Sequence, residues 1–152
     1  MKLAKALQLT QFSRDTFNTL QQKGSLPFLA GARGDRYSWD FDYSQVLALK
    51  VFQELRALGV SLDHCNNLIA SGWSEIEQAA CRPRVGESIM LSLVYGSEGL
   101  WYQGQHSEGR DLEPPAPGAR GFRYALTVDL AAIARDLRAL AVAGAFLDPD
   151  EA

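Results

Sequence analysis

Ser13-Arg14-Asp15-Thr16-Phe17-Asn18-Thr19-Leu20-Gln21-Gln22-Lys23-Gly24 carries the signals of one short, self-contained helix. The Ser13 hydroxyl can accept a bond from an otherwise free backbone N–H one turn later, which makes it an N-cap. Early in the helix only Phe17 and Leu20 are apolar, three residues apart, so a narrow stripe is buried and the other face stays in water. Gly24 admits the left-handed backbone that ends a helix, and Pro27 prevents it from resuming, so the element is about three turns long.

Upstream, residues 2–7 read as a short helix with Leu3, Ala6 and Leu7 on one side, suited to bracing the Ser13 helix. Residues 8–12 form the turn between the two. Downstream, Leu29-Ala30-Gly31-Ala32-Arg33-Gly34-Asp35-Arg36-Tyr37 combines two glycines, for a flexible tip, with two arginines, and predicts a charged loop. Asp42 or Ser44 can cap the next helix, in which Val46, Leu47, Leu49, Lys50, Val51, Phe52, Leu55 and Leu58 recur at mainly helical spacing up to Gly59. Ser61 caps a further helix running through Leu68 and Ile69.

In this order, Phe12-Ser13-Arg14-Asp15-Thr16-Phe17, Lys23-Gly24-Ser25-Leu26-Pro27, Asp35-Arg36-Tyr37, Val46 and Leu55-Arg56-Ala57-Leu58-Gly59-Val60-Ser61-Leu62 resemble a known family. It is the winged-helix DNA-binding domain of the mercuric-resistance-regulator (MerR) family and its relatives among phage excisionases. The resemblance covers roughly residues 1–70, under half the chain. It implies a winged helix-turn-helix whose 13–23 helix, from Ser13 to Lys23, enters the major groove of double-stranded DNA. Arg14, Thr16, Asn18 and Thr19 form the groove-facing set, and Arg33, Arg36 and Tyr37 sit on the wing. Three features depart from the family pattern. Asn18-Thr19-Leu20 stands where an Arg-Tyr-Tyr run is usual, the turn over residues 8–12 reads as a few residues longer, and no opening strand precedes the first helix.

The formal net charge of −3 speaks against nucleic acid until it is divided. Residues 1–60 hold eight Lys/Arg against five Asp/Glu, whereas residues 61–152 hold seven against thirteen. A basic head on an acidic body suits a chain that offers one end to DNA. A surplus of three positive charges is modest, so affinity is expected to come from a homodimer or from clustered sites. No apolar run reaches the ~18 residues of a membrane span and the first residues lack a secretory core, which predicts a soluble, cytoplasmic, nucleoid-associated protein.

The second half changes period. From Ser88, Ile89, Leu91, Leu93 and Tyr95 alternate with Met90, Ser92 and Val94, a strand buried on at least one side. Gly96-Ser97-Glu98-Gly99 reads as a hairpin turn returning through Leu100-Trp101-Tyr102-Gln103, residues 104–121 as a polar loop, and residues 122–128 as a third strand. Before these, Ser74 is placed to cap a helix of one or two turns closed by Pro83. After them, Asp129 is placed to cap a last helix with Leu130, Ile133, Ala134, Leu137, Leu140 and Ala141 as its stripe, ended by Gly144. The predicted class is α+β. A winged helix-turn-helix domain (residues 1–72) precedes a module for assembly or effector binding (residues 73–152), made of about three antiparallel strands and a terminal helix.

Catalysis finds little support. A Gly-rich phosphate loop, a Gly-x-Ser-x-Gly elbow and a His-Glu-x-x-His pair are all missing from the sequence. Cys65 and Cys81 are too few and too far apart for a disulfide scaffold, and His64 and Cys65, as helix neighbours, point to different sides. A buried thiol beside a surface imidazole is expected, with no metal and no cofactor. Trp101, Tyr102, Phe122 and Tyr124 read as sheet core or dimer contact ahead of an effector pocket. The resulting expectation is a sequence-specific, dimeric, DNA-binding transcriptional regulator. A phage-type architectural factor for excision or packaging and a protein-interaction module are the other readings open at this point.

Overall fold

The computed structural model describes residues 1–32, 38–81, 87–96, 99–108 and 122–145. In chain order they form α1 (Leu3–Thr10), α2 (Arg14–Gln22), a 3-10 helix (Pro27–Ala32), α3 (Tyr43–Ala57), α4 (Leu62–Ser71), α5 (Trp73–Ala80), β1 (Glu87–Gly96), β2 (Gly99–Glu108), β3 (Phe122–Asp129) and α6 (Leu130–Ala145). The arrangement is α+β, with helices packed on one face of a three-stranded antiparallel sheet.

α3 starts where a reciprocal cap fixes it. Gln45 N–H donates to Asp42 Oδ1 (2.7 Å), and Asp42 N–H donates to Gln45 Oε1 (3.0 Å), so Asp42 and not Ser44 is the cap. Val46, Leu47, Ala48, Leu49, Val51, Phe52 and Leu55 are shielded completely from solvent. Val46 to Leu49, four buried residues in a row, point to every side of the helix and have to be surrounded, and α1, α4, α5 and α6 all pack against α3. The stripe stops earlier than its spacing suggests. Leu58 is the C-cap residue and is 67% exposed, because the chain turns away through Gly59 (φ +84°).

Ser61 caps α4 by accepting from His64 N–H, and α4 buries Cys65, Leu68 and Ile69. α5 follows without a loop. Its N-cap is Gly72, not Ser74, which lies inside the helix and donates to Glu75 Oε2 (2.7 Å). A glycine is needed here because a Cβ on Gly72 would come within 2.1 Å of Leu91 Cδ1, and Leu91 is fully buried on the central strand.

The sheet order is β2-β1-β3. β1 and β2 pair antiparallel from Gly96↔Gly99 to Glu87↔Glu108, so β2 extends five residues beyond Gln103 into a segment whose polarity predicts a loop. The reason is that a tight hairpin fixes register. Backbone pairing to β1 continues as long as β1 does, whatever side chains β2 carries. β3 occupies the other edge, with Leu91↔Val128 and Leu93↔Leu126 in register. Ile89, Leu91, Leu93 and Val128 turn toward the helices and join their core, while on the opposite face the hydroxyls of Ser92 and Thr127 lie 2.9 Å apart.

Asp129 Oδ1 accepts from Ala132 N–H (2.9 Å) and so starts α6. Leu130, Ala131, Ala134 and Leu137 are buried, but Leu140 is 47% exposed and the helix runs on through Gly144 to Ala145. The expected stripe therefore buries only the first half of α6. The second half faces α1 across an open groove of about 580 Å³ lined by Ala4, Leu9, Leu140 and Ala143 among others. Three helices are tied at one point. Tyr43 Oη donates to Ala134 O (2.9 Å), Arg138 lies 5.0 Å over the Tyr43 ring, and its guanidinium donates to Ala80 O at the end of α5. Burial raises the Tyr43 pKa against the lowering effect of Arg138, which keeps the phenol protonated and donating. One continuous cluster of buried side chains runs from Ala6 in α1 to Leu137 in α6. Among the described residues, no helix is long and apolar enough to cross a membrane.

Gly72→Ala is expected to lower the unfolding free energy by about 1–3 kcal/mol, the usual cost of overpacking a closed core. Combining it with Leu91→Ala should cost less than the sum of the two single changes, because the shortened side chain removes the clash. Urea denaturation of the four proteins measures this coupling, and simple additivity would refute the contact.

Candidate nucleic-acid interface

α1 and α2 are joined by Gln11, Phe12 and Ser13 alone. α1 runs on to Thr10, whose buried hydroxyl donates to Ala6 O (2.8 Å), so the connection is three residues and not the longer turn that residues 8–12 suggest. Gln11 makes this possible by adopting a left-handed backbone (φ 56°), with its carbonyl accepting from Gln53 Nε2 (2.9 Å). Phe12 then drops between α2 and α3, 6.4 Å from the Phe17 ring and 6.3 Å from that of Phe52. No strand precedes α1. Lys2 makes only an isolated bridge with Asp40.

Ser13 caps α2 as its sequence predicts. Thr16 N–H donates to Ser13 Oγ (3.1 Å), and the Ser13 hydroxyl donates in turn to Thr16 Oγ1 (2.8 Å). Asp15 sits in the first turn, where the helix dipole favours an anion. At the other end Lys23 is the C-cap, and Gly24 (φ +66°) lets Ser25 N–H reach Leu20 O (2.9 Å). Phe17 holds the helix down. Its ring meets both Trp39 (5.3 Å) and Phe41 (6.3 Å) in T-shaped contacts, while Trp39 stacks flat on Phe41 (5.4 Å, 6° between planes). Trp39 and Phe41 thus anchor to α2.

With Phe17 inward, Arg14, Asp15, Thr16, Asn18, Thr19, Gln22 and Lys23 are all exposed. At about 100° per residue, the direction opposite Phe17 falls on Asp15, Thr19 and Gln22, with Asn18 and Lys23 beside them. Thr16 is as far round on the other side as Asn18, and Arg14, in the first turn, lies about 60° from Phe17. Ser13 and Thr16 spend their hydroxyls on the cap and on each other, whereas Arg14, Asn18, Thr19 and Lys23 present free polar groups. Gln22 belongs with them although the resemblance does not supply it; the helical angle alone finds it. Among the described residues, Arg14 and Lys23 make no ion pair.

Arg33, Arg36 and Tyr37 lie outside the described residues, as do the glycine and aspartate between them. The flanks of that stretch are fixed. Leu29, Gly31 and Ala32 belong to the 3-10 helix, with Leu29 and Ala32 buried, so residues 29–32 are not part of a charged loop as composition suggests. Asp40 N–H donates to Ala32 O (2.8 Å) and Phe41 N–H to Met1 O (2.8 Å). The Met1 amine donates to Asp40 Oδ1 (2.8 Å) and Phe41 O (2.6 Å), and this ammonium holds the Asp40 carboxyl below the usual carboxylate range.

Cys65 is buried and His64 is exposed, its Nδ1 3.3 Å from Tyr102 Oη. Desolvation pushes the Cys65 thiol up to about 11. Glu75 accepts from Ser74 and Glu77 from Trp73 Nε1, and no group of three or more His, Cys, Asp and Glu capable of holding a metal occurs among the described residues. Tyr102 packs against the core. The chain matches no protein-family model, and no curated protein is similar to it in sequence.

Ser13→Ala should cost about 1 kcal/mol of stability and Ser13→Gly only a few tenths, whereas Phe17→Ala should cost about 3–5 kcal/mol. Thermal and urea unfolding separate the three. In the folded protein a thiol reagent should label Cys81 and spare Cys65 until unfolding. As pH rises from 9.0 toward about 11 the unfolded chain loses the Cys65 proton before the folded chain does. Stability should therefore fall across that interval, and fall less steeply in Cys65→Ala.

Proposed function

We propose that the protein is a sequence-specific DNA-binding transcriptional regulator that acts as a dimer, with α2 as its reading helix. The observation that carries this reading is α2 itself. It is a capped helix joined to α1 by three residues, the spacing used by helix-turn-helix proteins, with its outer face exposed and polar. Arg14 and Lys23 supply donors for guanine edges and phosphates, and Asn18 and Gln22 carry the paired donor and acceptor that match adenine. Arg33, Arg36 and Tyr37 form the wing in this proposal, and Arg36 contacts phosphate. Residues 73–152 carry assembly, since a surplus of three positive charges in residues 1–60 binds a single duplex site weakly.

Sequencing the genomic fragments retained by the purified protein at physiological salt tests the reading directly. Arg14→Ala should relax the preference at one base position, a loss of about 1–3 kcal/mol of discrimination there. Arg36→Ala should weaken binding to all fragments alike and reduce the slope of log affinity against log salt by about 0.9. If both variants retain the parent's fragments with the parent's salt slope, α2 is not a reading helix.

A further inference from the structure

We propose that the groove between α2 and the last turn of α3 binds a small amphipathic anion, an aromatic or branched apolar body carrying one carboxylate or sulfonate. The groove encloses about 480 Å³, within the range of small-molecule sites. It is open because α3 ends there in Ala57, whose methyl group leaves the space unfilled. Its floor is apolar, formed by the half-buried Leu20 and the small accessible part of Phe12 (8% exposed), with Phe52 shielded beneath them, so an apolar body can rest on it.

The charge of the ligand follows from the rim. Ser13 and Thr16 are satisfied by each other and by the cap of α2. Arg56 is the one ionisable side chain lining the groove, and among the described residues it makes no ion pair. Its single hydrogen bond, to Val60 O, uses one of five guanidinium N–H groups and leaves the others to a ligand. A cation would be repelled by Arg56 and a neutral molecule would forgo its strongest contact. A planar anion pairs with two N–H groups at once. The proposal stands independently of DNA binding.

The test is a fluorescence titration with 8-anilinonaphthalene-1-sulfonate, whose fused rings and sulfonate match this chemistry, alongside the uncharged N-phenyl-1-naphthylamine. One equivalent of the sulfonate dye should bind saturably, and the uncharged dye about ten-fold more weakly. Arg56→Gln should weaken the sulfonate dye about ten-fold, with Arg56→Lys restoring part of the loss. Ala57→Trp should abolish binding by filling the groove. Both positions are exposed, and unchanged circular dichroism and melting of each variant separate site loss from misfolding. Leu140→Gln, in the separate α1–α6 groove, should leave the titration as in the parent. Absence of saturable binding, parent-like binding by Arg56→Gln or Ala57→Trp, or loss of binding in Leu140→Gln would each overturn the proposal.

Discussion

The first half of α3 is apolar on every side from Val46 to Leu49, and the molecule is organised by the need to cover it. Val46, Leu47, Ala48, Leu49, Val51, Phe52 and Leu55 cannot be hidden by one partner, so α1, α4, α5 and α6 each take a side. The sheet enters through β1, whose Leu91 passes the α4–α5 junction only because Gly72 has no side chain. α2 stands apart from this scheme. It reaches the core through Phe17, set among Phe12, Trp39 and Phe41, so its outer face is free of internal duties. A large aromatic side chain buried in such a setting contributes several kcal/mol, enough to hold a nine-residue helix that has no other deep anchor.

What the sequence made legible was local. Ser13, Asp42, Ser61 and Asp129 cap helices in the structure as the residue types predict, because a cap is an interaction over three residues and needs no knowledge of the fold. The departures all depend on distant partners. β2 continues through polar residues because β1 lies beside it, and Leu140 stays exposed because nothing covers that end of α6 among the described residues. Leu29 and Ala32 look like loop residues in sequence but are claimed by the core. Ser74, a good cap by type, is overruled because α5 starts against Gly72 without a break.

At the candidate interface the same division holds. Exposure of Arg14, Asn18, Thr19 and Lys23 follows from the single inward anchor, which the sequence displays. Loss of Ser13 and Thr16 to the cap follows from a hydroxyl–hydroxyl contact that residue types leave open. The left-handed Gln11, which shortens the α1–α2 connection, has no signature either, since left-handed backbone is ordinarily read from glycine or asparagine.

Asp15 limits how α2 can meet a duplex under the proposed function. It lies on the outward line of the helix, so an approach that put this line against the sugar-phosphate backbone would set a carboxylate against phosphates. Facing base edges instead, Asp15 can accept from a cytosine amino group while Arg14 and Lys23, displaced to its sides and ends, reach guanine or phosphate. The charge of the whole chain pushes the same way. Residues 61–152 carry thirteen acidic against seven basic side chains, and under the proposed function this field would turn that part of the chain away from DNA before contact is made. Orientation on a duplex would then be set by where negative charge is tolerated as much as by where positive charge is supplied.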